Sequence, residues 1–150
     1  MPNIIMTLSQ YNPQCIFYCD PIKNSIMNDG NFIRIIYANH LITLNGIILQ
    51  LQVNLTGMIK YYNKYKYSID ISNAMLDQIR IIEMELLNRN HYCHHKKKQY
   101  NLYEHVSSRC IKTGDDYQTP LSQNVIFLIK ISGIWETDTE CGITYKFILL

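Results

Sequence analysis

The chain has 150 residues, of which 14 are basic and 12 acidic, with a formal net charge of +2 and 47% hydrophobic residues. That length suits a single domain, and the apolar share excludes wholesale disorder. No apolar run approaches the roughly 20 residues of a membrane span, and so small a net charge is no argument for a polyanionic partner.

Residues 1–10 lack a basic region and a small-residue cleavage site, so no secretory signal is expected. The five cysteines, Cys15, Cys19, Cys93, Cys110 and Cys141, are odd in number and do not pair at framework spacing. Free thiols in a reducing, intracellular compartment are the expectation. Ile, Asn, Lys and Tyr dominate, which reflects A/T-rich codons and hints at an AT-rich genome. Ten of the 14 basic residues lie between Lys60 and Lys112 among five acids, whereas from Thr113 onward five acids face two lysines. The chain is therefore electrically polarised.

In chain order, Cys15 to Cys19 (CIFYC) predicts a short strand stopped at Asp20-Pro21, and Asn28-Asp29-Gly30-Asn31 a turn. Phe32 to Ala38 is β-branched and aromatic, hence a strand. Asn45-Gly46 is a turn dipeptide at a strand start. Ile47, Leu49, Leu51 and Val53 then alternate with polar or less buried positions, marking a strand with one buried face. Met58 to Ile69 reads as one extended segment rich in Tyr and Lys. Ser72 or Asn73 caps a helix of about Asn73 to Asn88. Met75, Ile79, Ile82 and Leu86 form its apolar stripe, with Asp77, Arg80, Glu83 and Arg89 on the opposite face. His91 to Gln99 (HYCHHKKKQ) reads as an exposed polar loop, Tyr100 to Ser107 as a short helix and Cys110 to Lys112 as a brief strand. Thr113 to Gln123 is a loop. Val125 to Trp135 and Ile143 to Leu149 close the chain as a β-hairpin joined by Thr137 to Gly142.

Five to seven strands with one long helix predict a single α+β domain, mainly β. The expected architecture is a small OB-like barrel or curved antiparallel sheet, with one long amphipathic helix (about 73–88) and a C-terminal β-hairpin.

Three constellations bear on function. In the segment 60–67, Lys60, Tyr62, Lys64 and Lys66 project to one face if it is extended, and Tyr61, Tyr65 and Tyr67 to the other. Lysines for phosphates and tyrosines for bases are what single-strand binding requires; an edge strand guarded by lysines and anchored by tyrosines explains the same pattern. His91-Tyr92-Cys93-His94-His95 departs from the spacing of structural zinc sites, so no metal is expected. With Lys96, Lys97 and Lys98 it forms a solvated loop, or extends the Lys-Tyr strand into one electropositive surface. Gly133 inside a strand predicts a bulge or a close backbone approach, and Trp135 is a core anchor or a stacking platform. No phosphate-binding glycine loop, nucleophile elbow or H-E-x-x-H motif is present. No enzyme and no cofactor are expected.

Four blocks, FIRIIYANHLITLNGIILQLQ (32–52), SIDISNAMLDQIRIIEMELL (68–87), YNLYEHVSSRCIK (100–112) and FLIKISGIWETDTECGITYKF (127–147), together resemble small uncharacterised proteins of nucleocytoplasmic large DNA viruses and related insect viruses. The order of strands, helix and closing hairpin is similar to the phage-type OB-fold single-stranded DNA-binding class. That resemblance implies an accessory role in viral DNA replication or repair. The strand-like 144–150 departs from the flexible acidic tail of that class. The expected site is Lys60, Lys64, Lys66, Lys96, Lys97, Lys98 and Arg109 for phosphates, with Tyr62, Tyr65, Tyr67 and Trp135 for bases. The expected partner is single-stranded DNA or RNA, with no membrane. The alternative is a viral structural or assembly protein that buries its apolar Ile4-Ile5 and Ile148-Leu149-Leu150 against a second copy or another viral protein.

Overall fold

The computed structural model describes residues 4–24, 30–62, 64–113 and 122–150. Among these residues eleven strands form one sheet: β1 (Ile5–Thr7), β2 (Ile16–Tyr18), β3 (Ile22–Lys23), β4 (Asn31–Ala38), β5 (Thr43–Asn45), β6 (Ile47–Tyr61), β7 (Lys64–Asp70), β8 (Lys97–Gln99), β9 (Cys110–Thr113), β10 (Asn124–Glu136) and β11 (Glu140–Leu149). The helices are α1 (Asn73–Asn88) and α2 (Asn101–Ser107). The order β2-β4-β10-β6-β7-β9 makes the backbone of the sheet, with β11 on the other flank of β10 and β8 beyond β11. Pairing is mainly antiparallel, as expected, but β1 joins β6 and β8 joins β11 in parallel. The sheet curls until β9 lies near β11, with no hydrogen-bonded ladder joining them among the described residues. It is a curved, open sheet.

The two long strands organise everything else. The alternation read at 47–53 holds: Ile47, Leu49, Leu51 and Val53 are buried opposite Ile131, Ile129, Phe127 and Val125 of β10. Each such aliphatic side chain contributes roughly 1.5–3 kcal/mol by leaving water. Both long strands change partners along their length. The first half of β6 pairs with β10 and its second half with β7, while the end of β10 leaves β6 and pairs with β4. The register shifts between Ile131 and Gly133 on β10, and between Leu55 and Gly57 on β6. Such bulges increase local twist and bend the sheet. Gly133 answers both halves of its expectation: a Cβ there would stand 2.3 Å from the Ile33 carbonyl oxygen and 2.6 Å from Phe32 Cζ. Gly46, at φ 92°, sets β5 off from β6, and a Cβ there would stand 2.7 Å from the Ile131 oxygen.

Helix α1 occupies the span predicted for it. Ser72 Oγ accepts from Met75 N (3.2 Å), and Leu76, Ile79, Ile82, Leu86 and Leu87 are buried. Among the described residues no helix is long and apolar enough to cross a membrane. Both helices lie on the core face of the sheet. Tyr18 donates to the Leu86 oxygen (2.8 Å), and His105 of α2 meets Tyr145 and Phe147 of β11.

Four expectations need correction. Eleven strands stand among the described residues where five to seven were expected, because β1, β3, β5 and β8 are only two or three residues long and too short to show a periodicity. Residues 58–69 do not form one extended segment: Tyr62, at φ 52°, turns the chain between β6 and β7. Glu83 does not face solvent with Asp77 and Arg80 but is fully buried. Its carboxylate accepts from Leu102 N (3.0 Å) and Tyr103 N (2.8 Å), because α2 has no side-chain cap of its own. Residues 91–99 are not a loop solvated throughout: a 3-10 turn at His91–Cys93 buries Cys93, and Lys97–Gln99 pairs with the start of β11. The Asn28-Asp29 part of the expected turn and residues 114–121 of the expected loop lie outside the described residues.

Candidate nucleic-acid interface

Directly opposed residues in a sheet share a face, so register fixes which side chains meet on the surface away from the helices. On that outer face Ile22, Phe32, Trp135, Gly142 and Gln99 form one row across β3, β4, β10, β11 and β8. The next row is Arg34, Gly133 and Thr144, and then Ile5, Ile48, Lys130 and Lys146. At the far side Ile59, Lys66 and Lys112 are neighbours across β6, β7 and β9, with Lys64 two residues along.

The aromatic row is built on glycines. A Cβ on Gly142 would fall 2.6 Å from Trp135 Cζ2 and 2.8 Å from its Nε1, so the indole lies flat against the Gly142 backbone. The Phe32 ring covers Gly133 in the same way. Both rings are half-buried, while Phe17, on the same face opposite Ile36, is 56% exposed.

The basic residues are arranged against ordinary sheet economy. Lys130 stands directly opposite Lys146, and Lys66 directly opposite Lys112. Like charges in that position destabilise a sheet. The ion pairs found among the described residues are Arg80–Asp77, Lys96–Glu136 and Arg109–Asp70, and none involves these four lysines. Lys64, Tyr65, Lys66 and Lys112 line a hollow of about 290 Å³.

The residues expected to form the site separate into four groups. Lys60, Tyr62, Lys64, Lys66 and Lys97 are exposed, and Trp135 reaches the outer face, but Lys60 does not share a face with Lys64 and Lys66 as expected, because the register sets it opposite the core residue Tyr65. Tyr65 and Tyr67 are core residues, 7% and 0% exposed. Tyr67 makes an edge contact with Phe127 at 5.5 Å between ring centres, so neither ring is open for stacking. Their inward direction follows from β7 alternation against Ile111 and Thr113. Lys96 and Arg109 have structural tasks. Lys96 Nζ lies 2.7 Å from Glu136 Oε2, with side-chain exposures of 20% and 6%. Arg109, at φ 60°, donates to the Ile71 oxygen at 2.6 Å. Lys98 is half-buried beside Cys141 on the opposite side of β8 from Lys97. The Lys-Tyr ribbon and the Lys96–Lys98 segment are not neighbours in the sheet: β7 pairs with β6 and β9, whereas β8 pairs with β11.

Sequence reasoning missed Phe32, Arg34, Lys112, Lys130 and Lys146 as site residues. Their signal was present in the alternation of β4, β9, β10 and β11, since each falls on the outward phase of a strand whose other phase is buried. Only the pairing register brings them together. Among the described residues no three His, Cys, Asp or Glu side chains converge on a point where an ion would be held. Comparison with protein-family models, curated proteins and solved structures finds no match for this chain.

Proposed function

We propose that this protein is a non-catalytic binding module for single-stranded nucleic acid, and that it uses the outer face of its curved sheet in the manner of an OB-like barrel. The observation that carries this reading is the pair of directly opposed lysine couples on the same face as the Phe32–Trp135 aromatic pair. Opposed lysines repel until a polyanion lies between them. A flat ring seated on a glycine offers its other surface to a base, and such stacking is worth roughly 1–3 kcal/mol per base. Arg34, Lys130 and Lys146 flank the rings, and Lys64, Lys66 and Lys112 extend the track along β6 to its far end. The resemblance to proteins of large DNA viruses fits a replication or repair accessory working in a reducing compartment.

Trp135 is the sole tryptophan, so its emission reports on the platform directly. Titration with oligo-thymidylate is expected to quench it. Binding seen by an end-label with no change in Trp135 emission rejects the stacking platform, and no binding at all rejects the function.

A second reading rests on a different part of the same face. Ile5 (41% exposed) lies against Ile48, and Ile148 (38%) lies opposite Leu128, with Leu150 (63%) at the end of β11. This apolar strip suits a second copy or another viral protein in an assembly role. A sedimentation mass above the monomer that an Ile148→Glu variant reverses is the result this reading requires.

A further inference from the structure

Across β6 from β10, residues 51–53 have no partner strand among the described residues. β1 stops with Thr7 opposite Gln50, and β7 stops with Asp70 opposite Asn54. The first turns of α1 border this gap, and two hollows of about 400 and 220 Å³ open there. Gln52 and Met75 line both, so the two form one trough. Register places it on the lysine track. Gln50, Gln52 and Asn54 continue the outer phase of β6 from Ile48, beside the Lys130–Lys146 couple, towards Ile59, beside the Lys66–Lys112 couple.

The lining is polar and almost uncharged. It holds five carboxamides, from Gln50, Gln52, Asn54, Gln78 and Asn124, and one carboxylate, from Asp70. Among the described residues no Lys, Arg or His lines it. Asp70 is 72% exposed and its Oδ1 lies 3.9 Å from Arg109 Nη1, a long pair that leaves the carboxylate open to a ligand. Gln52 Nε2 reaches Asn124 Oδ1 only at 3.5 Å, and Gln50, Asn54 and Gln78 make no side-chain hydrogen bond among the described residues. A phosphate would meet a carboxylate here and no cation. A carboxamide sets a donor beside an acceptor, which matches the edge of a nucleobase, whereas a carboxylate only accepts. Met75 offers a polarisable surface to the face of a ring.

We infer, resting on the single-strand reading above, that this trough receives an unpaired base of the bound strand and favours bases that carry an exocyclic amino group over thymine or uracil. Cytosine N4 and adenine N6 donate to an Asp or to a carboxamide oxygen. Thymine and uracil present a carbonyl oxygen at that position, so the Asp70 carboxylate would face a second acceptor. The lysine couples on either side of the trough hold phosphates, which carry no sequence information. Sequence is read between them, by Asp70 and the carboxamides.

The test compares oligo-deoxycytidylate with oligo-deoxyuridylate of equal length, binding to the full chain at neutral pH, by fluorescence anisotropy. The two bases share a ring and differ in its hydrogen-bonding edge, so the phosphate contacts cancel in the ratio. Cytidylate is expected to bind about 5- to 150-fold more tightly, and the ratio to shrink in Asp70→Asn. That exposed substitution also removes a negative charge and raises affinity for both strands, so only the ratio is read. Equal binding of the two strands to wild type overturns the inference and leaves the single-strand reading standing, whereas no binding of either overturns both. A ratio undiminished in Asp70→Asn/Gln52→Ala overturns the assignment to this trough. The wild-type ratio is decisive by itself, so a variant that fails to fold does not protect the proposal.

Discussion

Removing the Glu83 carboxylate tests how the two helices are held together. Leu102 and Tyr103 are the second and third residues of α2, where a capping side chain normally accepts. Tyr100 at the cap position makes no such bond, and Glu83 supplies it from α1 with contacts of 3.0 and 2.8 Å. Each charge-assisted bond is worth about 1.5–3 kcal/mol. Part of that gain is offset because the carboxylate is buried, which raises its pKa above 4.5 despite the two N–H donors. Glu83→Ala is therefore expected to cost about 2–4 kcal/mol, and Glu83→Gln, which keeps one acceptor, about 1–2 kcal/mol, in urea unfolding at neutral pH. The pH dependence has a definite sign. A folded-state pKa above the unfolded value gives a contribution fully present below about pH 4.5 and lost as pH rises through the folded pKa. The stability difference between wild type and Glu83→Gln should shrink as pH rises above 4.5. A Glu83→Ala protein within about 0.5 kcal/mol of wild type, or a difference that widens with pH, refutes the reasoning.

Lys96→Met strands the Glu136 carboxylate, 6% exposed, with the 3.2 Å bond from Asn31 Nδ2 as its remaining side-chain bond among the described residues. The loss should be about 2–4 kcal/mol by thermal or urea unfolding, and Lys96→Met/Glu136→Leu should recover much of it. Gly133→Ala forces a Cβ to within 2.3 Å of the Ile33 oxygen, which should cost about 3 kcal/mol in the same assay, whereas a neutral result would mean that β4 and β10 yield freely there. Burial, and then Lys112, lower the His105 pKa from 6.5, and its Nδ1 lies 3.1 Å from the Tyr145 hydroxyl. Its contribution is present above pH 6.5 and lost as pH falls through the folded pKa. Unfolding curves should weaken over that acidic window in wild type and flatten there in His105→Gln.

What could be read from the sequence was set by local periodicity. The stripe of Ile79, Ile82 and Leu86, with Ser72 or Asn73 as the cap ahead of it, places α1 over about 73–88, and the structure has it at Asn73–Asn88 with Ser72 as the cap. The alternation at 47–53 and 125–131 fixes the buried phases of β6 and β10. Local patterns were insufficient where a long-range partner overrides them. Nothing around Tyr62 supplies the glycine that a left-handed turn favours, so the Lys-Tyr run reads as one strand although it is two. Glu83 sits on the polar side of α1 by spacing and is drawn inside by the bare end of α2. Lys96 reads as one of three free lysines and is taken up by Glu136, 40 residues away. The candidate surface suffered most, since β-register between distant strands decides which residues meet on it.

The central claim is that one sheet face combines positive charge and stacking, and the most direct measurement is fluorescence anisotropy of a labelled oligo-thymidylate over a salt series. With Arg34, Lys64, Lys66, Lys112, Lys130 and Lys146 each meeting a phosphate, the slope of log affinity against log salt is about −4, a loss of about 300-fold between 50 and 200 mM salt. Trp135→Ala should lower affinity about 5- to 150-fold at every salt concentration and leave that slope unchanged. Affinity indifferent to salt, or equal in wild type and Trp135→Ala, would contradict the account.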